Sequence, residues 1–356
     1  MATPFAAGVA ALIKKAHPDY NPFEIQSVMA TTANPVKWDN GKGFTGEFLA
    51  PVFQQGGGLL DAWKAVHSTT LFNVPSLSFN DTTNRPQQLK FNIKNTGTKA
   101  ATYQFSHLGA GSGYVLSADE PDHFTEADAV AVFANISISP QSAVVGPDES
   151  VTVSVAVTKE PELPEAATRG SYFGGYVVAD AIEGSAEVNR LHLPYTGFGA
   201  PLAVVPIINT TASHLAVLNY STSTTEEADD GRSFLCSWNS TDLENPDHCE
   251  VDKGTLYPAV ILGFNVQTQD MTLSVADAVT GREVFVSSRS VSPDMYNWGY
   301  TYYNGVDGNY TRLPEGNYVW RTRSLKLNAD PNKEESWEIW ESAKFNIRRT
   351  SNTTAV

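Results

Sequence analysis

The chain has 356 residues, enough for two or three domains. It carries 24 basic against 39 acidic residues for a formal net charge of −15, which repels phosphate backbones and sets nucleic acid aside as a partner. Apolar residues make up 41%, enough for packed cores and too many for a disordered chain, and no run reaches the ~18 apolar residues of a transmembrane segment.

Residues 1–70 read as helical. Phe5, Val9, Leu12, Ile13 and Ala16 recur at helical spacing. Ala6, Ala7, Gly8, Ala10 and Ala11 keep the rest of that helix thin, so other elements can approach it closely. Pro4 suits a first turn, where a missing N–H costs nothing. His17-Pro18 ends the helix, because a residue before proline resists the α region. Asn21-Pro22-Phe23-Glu24 opens a second helix: Asn21 can cap, Pro22 fits the first helical position and Glu24 can reach back. Ile25, Val28 and Met29 form its inner stripe. A loop with Gly41, Gly43 and Gly46 follows, and the turn at Gly56-Gly57-Gly58 leads into a short third helix over 59–66. No Lys-Ser/Thr follows those glycines, so they read as a turn rather than a phosphate cradle.

From 73 the period changes to two. Leu89, Phe91 and Ile93 alternate with Lys90, Asn92 and Lys94 before a turn at Asn95-Thr96-Gly97, and Val151, Val153, Val155 and Val157 repeat the pattern. Such strands with turns between them indicate an antiparallel sandwich over 73–200. A second β unit spans 201–350: Met271, Leu273 and Val275 alternate, Thr280-Gly281 turns the chain, and Tyr318, Trp320, Trp337, Ile339, Phe345 and Ile347 supply later strands. Five of the seven tryptophans lie in this unit and are expected in its core. Residues 351–356 form a polar tail.

Cys236 and Cys249 are the two cysteines, and their spacing suits a local bridge. Closing a loop of roughly 14 residues adds about 3 kcal/mol, the alternative being two buried free thiols. N-x-S/T sequons occur at Asn80, Asn135, Asn209, Asn219, Asn239, Asn309 and Asn352. Together these features suggest an oxidising, secretory environment. Met1 nevertheless leads straight into an amphipathic pattern, without a signal peptide's charged start and apolar run. The expectation is a longer parent whose first part precedes Met1. Asp242, Glu244, Asp247, His248 and Glu250 read as a solvated acidic loop rather than a calcium cage, and Glu226, Glu227, Asp229 and Asp230 as a second exposed acidic run. His192 on an alternating strand reads as a packed residue. No cofactor or metal is expected.

Met1-Ala2-Thr3-Pro4, continued by AGVAAL, then by HPDYNPFEIQSVMATTA and QGGGLLDAWKAV, resembles in content and order the end of a subtilisin-like serine protease (subtilase) domain. In that family the run reads Gly-Thr-Ser-Met-Ala-Thr/Ser-Pro, so the nucleophilic Ser would immediately precede Met1. The resemblance implies that 1–70 closes an α/β catalytic domain, that 73–200 is a fibronectin type III-like domain, and that 201–350 resembles the last sandwich of fungal secreted subtilases. The expected fold class is therefore mainly β, a short helical remnant of an α/β subtilisin domain followed by two antiparallel β-sandwiches of fibronectin III/Ig-like type.

The parent is then expected to be a secreted glycoprotein hydrolase acting on protein and peptide substrates through the missing catalytic part. No residue of the triad is expected in this chain, which should be inactive as given. The first helix is shaped to pack on a sheet this chain lacks, so much of the burial of Phe5, Val9, Leu12 and Ile13 is expected to be missing, and residues 1–70 are expected to pack poorly or to lean on the first sandwich. The alternative is a non-enzymatic secreted β-sandwich binding or adhesion protein.

Overall fold

The computed structural model describes residues 2–41, 45–118, 129–182, 189–239, 241–250, 255–289, 299–306 and 311–350. The chain divides into two compact units, one reaching to Pro201 and one running from Leu202 onward.

The first unit begins with α1 (Ala2–Ala16), α2 (Pro22–Thr32), the hairpin β1 (Lys37–Asp39) and β2 (Thr45–Leu49), α3 (Val52–Gln55) and α4 (Ala62–His67). Asn21 closes a capping box on α2: its Oδ1 accepts from the Phe23 and Glu24 amides at 2.9 and 3.0 Å, and its own amide donates to Glu24 Oε2 at 2.8 Å. Lys14 and Lys15 sit at the negative end of α1.

Two local expectations change. In place of the expected loop between helices, Lys37–Asp39 and Thr45–Leu49 pair as an antiparallel hairpin with Trp38 stacked on Phe48 at 5.5 Å, and Gly43 lies outside the described residues. The last helix starts at Ala62, capped by Asp61, because Leu59 is held outside it by paired backbone bonds to Asn34. Phe5 and Leu12, which share the helical spacing of Val9 and Ile13, are 58% and 52% exposed. Val9 and Ile13 alone carry the buried side of α1, packed with Val28, Ala65 and Leu71.

The sandwich follows as β3 (Thr70–Phe72), β4 (Leu77–Ser78), β5 (Leu89–Asn95), β6 (Ala101–Tyr114), β7 (Asn135–Ser139), β8 (Ser142–Val145), β9 (Ser150–Lys159), the short α5 (Ala166–Arg169), β10 (Ser171–Ile182) and β11 (Asn189–Phe198). One sheet has the order β3-β5-β9-β7 and the other β4-β11-β10-β6-β8. Phe91 and Ile93 point inward from β5 while Lys90 and Asn92 face water, as period-two alternation requires. Phe72, Phe79, Tyr103, Phe173 and Tyr195 fill the space between the sheets.

The second unit contains β12 (Ile208–Asn219), β13 (Thr224–Glu227), β14 (Arg232–Trp238), β15 (Asp247–Cys249), β16 (Leu256–Phe264), β17 (Met271–Asp277), β18 (Glu283–Arg289), β19 (Gly299–Tyr302), β20 (Gly316–Leu325), β21 (Trp337–Glu341) and β22 (Phe345–Arg349). Its sheets run β13-β12-β16-β19 and β15-β14-β22-β20-β17-β18, with β21 joined to β20. Pairing is antiparallel apart from β14 with β22, and in the first unit β11 with β4. Trp320 is the largest fully buried side chain of this core, beside Phe234, Phe285, Phe345 and Tyr303. Trp337 instead opens β21 opposite Leu325, with the Arg323 guanidinium 3.8 Å above its ring; Trp238, Trp337 and Trp340 are only half-buried, and Trp298 lies outside the described residues.

Candidate functional site

Ala2, Thr3 and Pro4 form the exposed first turn of α1, and Met1 lies outside the described residues. The first turn of a helix leaves backbone N–H groups without an intrahelical partner, here those of Ala2 and Thr3 because Pro4 has none, and it carries the positive end of the helix dipole, which stabilises negative charge developing nearby. Beyond it, Phe5, Gly8 and Leu12 form an open apolar stripe, and a Cβ added at Gly8 would meet nothing within 4 Å. α1 thus has one satisfied face, turned to α2 and α4, and one open face.

The segment that carries α1 is seated on the outer surface of the β10 sheet. Glycines cut the seat: an added Cβ at Gly111 would lie 2.7 Å from the Phe48 ring, and one at Gly174 would lie 3.0 Å from Val52. Val52 packs on Ala110, Tyr176 and Val178. Polar bonds fix the register: Ser27 Oγ donates to the Phe72 carbonyl at 2.8 Å, Tyr176 OH to the Gly56 carbonyl at 2.9 Å, and His192 Nδ1 to the Ala33 carbonyl at 3.2 Å. In consequence β10 is buried on both faces along most of its length.

His192 is packed, 6% exposed, with Tyr176 edge-on at 5.9 Å. Burial pushes its pKa below the usual imidazole value; the Ala33 bond and Asp180 oppose this, while Lys64 and Arg190 add to it. The unfolded chain, with an ordinary pKa of about 6.5, therefore takes up the proton first. Stability is fully present above that pH and is lost as the pH falls toward the folded-state value. His192→Gln should lose less stability than the parent chain between pH 7 and 5, the difference growing by at most about 1.4 kcal/mol per pH unit. Urea unfolding of the first unit at both pH values checks this, and parallel pH profiles would refute it. His107, whose pKa burial also lowers, is present in both proteins and cancels.

In the second unit Cys236 and Cys249 oppose each other on β14 and β15 and are joined as a buried disulfide. Beside it the expected solvated acidic loop does not hold for Asp247, which is fully buried. Its carboxylate takes both terminal nitrogens of Arg349 in a bidentate pair, Nη2–Oδ2 being 2.7 Å, and accepts from Tyr303 OH at 2.6 Å. Glu250 pairs with Arg232 at 2.8 Å. Among the described residues Cys236, Asp247 and Cys249 form the one grouping of metal-type donors, and the disulfide and Arg349 already occupy them. Glu226, Glu227, Asp229 and Asp230 are exposed.

The sequons scatter. Asn135 heads edge strand β7 and Asn239 follows β14; both are exposed. Asn80 and Asn219 are half-buried, Asn80 at a φ of 57°. Asn209 is buried in β12. Asn309 and Asn352 lie outside the described residues.

Residues 1–58 match the subtilase family, and residues 77–196 match the Fn3-like domain. The PI-type proteinase of Lactococcus lactis subsp. cremoris is 24% identical over 389 residues, covering 93% of this chain and 19% of the proteinase. Subtilisin-like protease SBT3.9 of Arabidopsis thaliana is 36% identical over 81 residues, 21% of this chain and 10% of that protease. Subtilisin-like protease SBT3 of Solanum lycopersicum is 56% identical over 36 residues, 10% of this chain and 5% of that protease. The chain thus spans about a fifth of the length of the bacterial relative.

Proposed function

From the premise that this chain joins a subtilase segment to an Fn3-like domain, we propose that it is the C-terminal portion of a secreted subtilisin-like serine endopeptidase. Such an enzyme activates a Ser hydroxyl by passing its proton to a His that an Asp holds in place, and these occur in the order Asp, His, Ser along a subtilisin chain. In this reading the Ser stands immediately before Met1, at the positive end of α1, and the His and Asp stand earlier still. The observation that carries the reading is the subtilase match over α1 to α3, in a segment whose leading helix keeps Phe5 and Leu12 open on one side.

The contribution of this chain is then to hold. α1 supplies the dipole behind the nucleophile, and α2, the β1–β2 hairpin and α3 lock that helix's domain onto the Fn3-like sheet. The chain by itself is expected to be inactive on peptides. A fluorophosphonate probe, which labels activated serines, should not label the purified 356-residue chain. Joined to the upstream reading frame it should label, and replacing the Ser before Met1 by Ala should abolish the labelling. Labelling of the 356-residue chain alone would overturn the reading.

A further inference from the structure

The sequence offers N-x-S/T at Asn135, Asn209 and Asn239 alike, yet the fold treats them differently. Asn135 opens β7, the outer strand of its sheet, and is exposed. Asn239 lies in the loop that the Cys236–Cys249 disulfide closes, and is also exposed. Its Oδ1 accepts from the Thr241 amide at 3.1 Å and the Thr241 hydroxyl at 2.7 Å, so the acceptor Asn and the required hydroxyl residue already face each other through the amide oxygen rather than the nitrogen.

Asn209 is 6% exposed, the second residue of β12. It stands opposite Gly263 of β16 at the root of a bulge, since the next registered pair is His214 with Ile261. Its Oδ1 accepts from the Ala212 amide at 3.0 Å, closing the bulge over it. The neighbouring strand ends are tied as well, with the Asn265 amide donating to the Ile207 carbonyl at 2.9 Å.

We propose that Asn135 and Asn239 carry N-linked glycans in the folded protein, and that glycosylation of Asn209 and folding of the second unit exclude each other. Attachment forms a bond between Asn Nδ2 and the anomeric carbon of an oligosaccharide. The donor's lipid pyrophosphate leaves, and Nδ2 gives up one proton. The product is a large hydrated group on the side chain. At Asn135 and Asn239 that group extends into water. At Asn209 it would occupy the space in which β12 meets β16, so a chain modified there before β12 pairs cannot close the core around Leu215, Val260 and Trp320. The inference rests on the secretory reading of the parent, but its test does not.

The full 356-residue chain is secreted from a eukaryotic host behind a cleavable leader. Folded monomer, with no thiol open to alkylation, is separated from the thiol-reactive fraction, and the glycopeptides of both are mapped. The expected result is sugar on Asn135 and Asn239 and a bare Asn209 in the monomer, with any Asn209 glycan confined to the thiol-reactive fraction. Asn135→Gln and Asn239→Gln should each remove one glycan mass from the monomer. Thr211→Ala, which destroys the sequon but keeps Asn209, should remove the Asn209 glycan from the thiol-reactive fraction. A glycan on Asn209 in monomer with its disulfide closed would overturn the exclusion, and bare Asn135 and Asn239 in secreted monomer would overturn the assignment. Whether the parent itself is secreted is read separately, from sugar on protein isolated from its source.

Discussion

Arg349→Met should lower the stability of the second unit by about 3–5 kcal/mol. The substitution leaves the Asp247 carboxylate fully buried, with Tyr303 OH as its remaining side-chain donor among the described bonds. It also removes the bonds from Arg349 to the Leu313 carbonyl, which tie β22 to the start of the β20 hairpin. A loss of that size is a large share of the 5–15 kcal/mol that typically holds a domain together. Arg349→Lys should recover little, because an ammonium cannot reproduce the two parallel bonds of the guanidinium. The decisive variant is the double change Asp247→Asn with Arg349→Met. It removes the unpaired charge yet leaves an amide oxygen for Tyr303, and should regain more than half of the lost stability. Urea unfolding with peptide-resolved hydrogen exchange over 316–349 measures all three variants. If Arg349→Met shifts the midpoint no more than an ordinary surface substitution, the pair is a bystander.

What the sequence revealed, and what it hid, follows the range of the interactions. The capping box of α2 needs only Asn21 and Glu24, three residues apart, and could be read directly. The alternation of β5 needs only that one face be wet and the other dry, and Phe91 and Ile93 declare it. The β1–β2 hairpin was missed because its strands are short and Trp38 finds Phe48 only once the chain has turned. The stripe on α1 was legible as a stripe, but which members become buried depends on what lies against them: Val9 and Ile13 pack with residues of α2 and α4, whereas Phe5 and Leu12 stay more than half exposed.

Asp247 shows the limit most clearly. Between Asp242, Glu244, His248 and Glu250 it looks like one more solvated acid, and the residue that makes its burial tolerable stands 102 positions away. β10 is a related case. Its run through Val177, Val178 and Ala179 is apolar on both faces because residues 48–56, far back in the chain, cover the outer one. The open end of α1 was readable from Ala2, Thr3 and Pro4 only through resemblance, since small exposed residues carry no chemistry of their own.

Val52→Asp should release the subtilase segment from its seat while leaving the Fn3-like sandwich folded. Val52 is buried against Ala110, Tyr176 and Val178, above a position where only Gly174 leaves room. A carboxylate there has no cation among the residues that pack on Val52 and must lose its water. A cost of about 3 kcal/mol shifts the opening equilibrium by roughly 100-fold. None of the residues that fill the space between the two sheets belongs to the segment before β3, so the sandwich core keeps its own contacts when that segment lifts. Amide exchange in α2 and in the β1–β2 hairpin should accelerate by about that factor, while protection in β5 and β9 stays unchanged. Limited proteolysis should then trim the chain back toward Thr70. Gly174→Ala should loosen the seat and also strain the β10–β11 pairing, since its added carbon would meet Val52 at 3.0 Å and the Tyr195 carbonyl of β11 at 2.8 Å. Unchanged exchange in α2 would show that the seat adds little. Simultaneous loss of protection in β5 and β9 would show instead that segment and sandwich fold as one cooperative body.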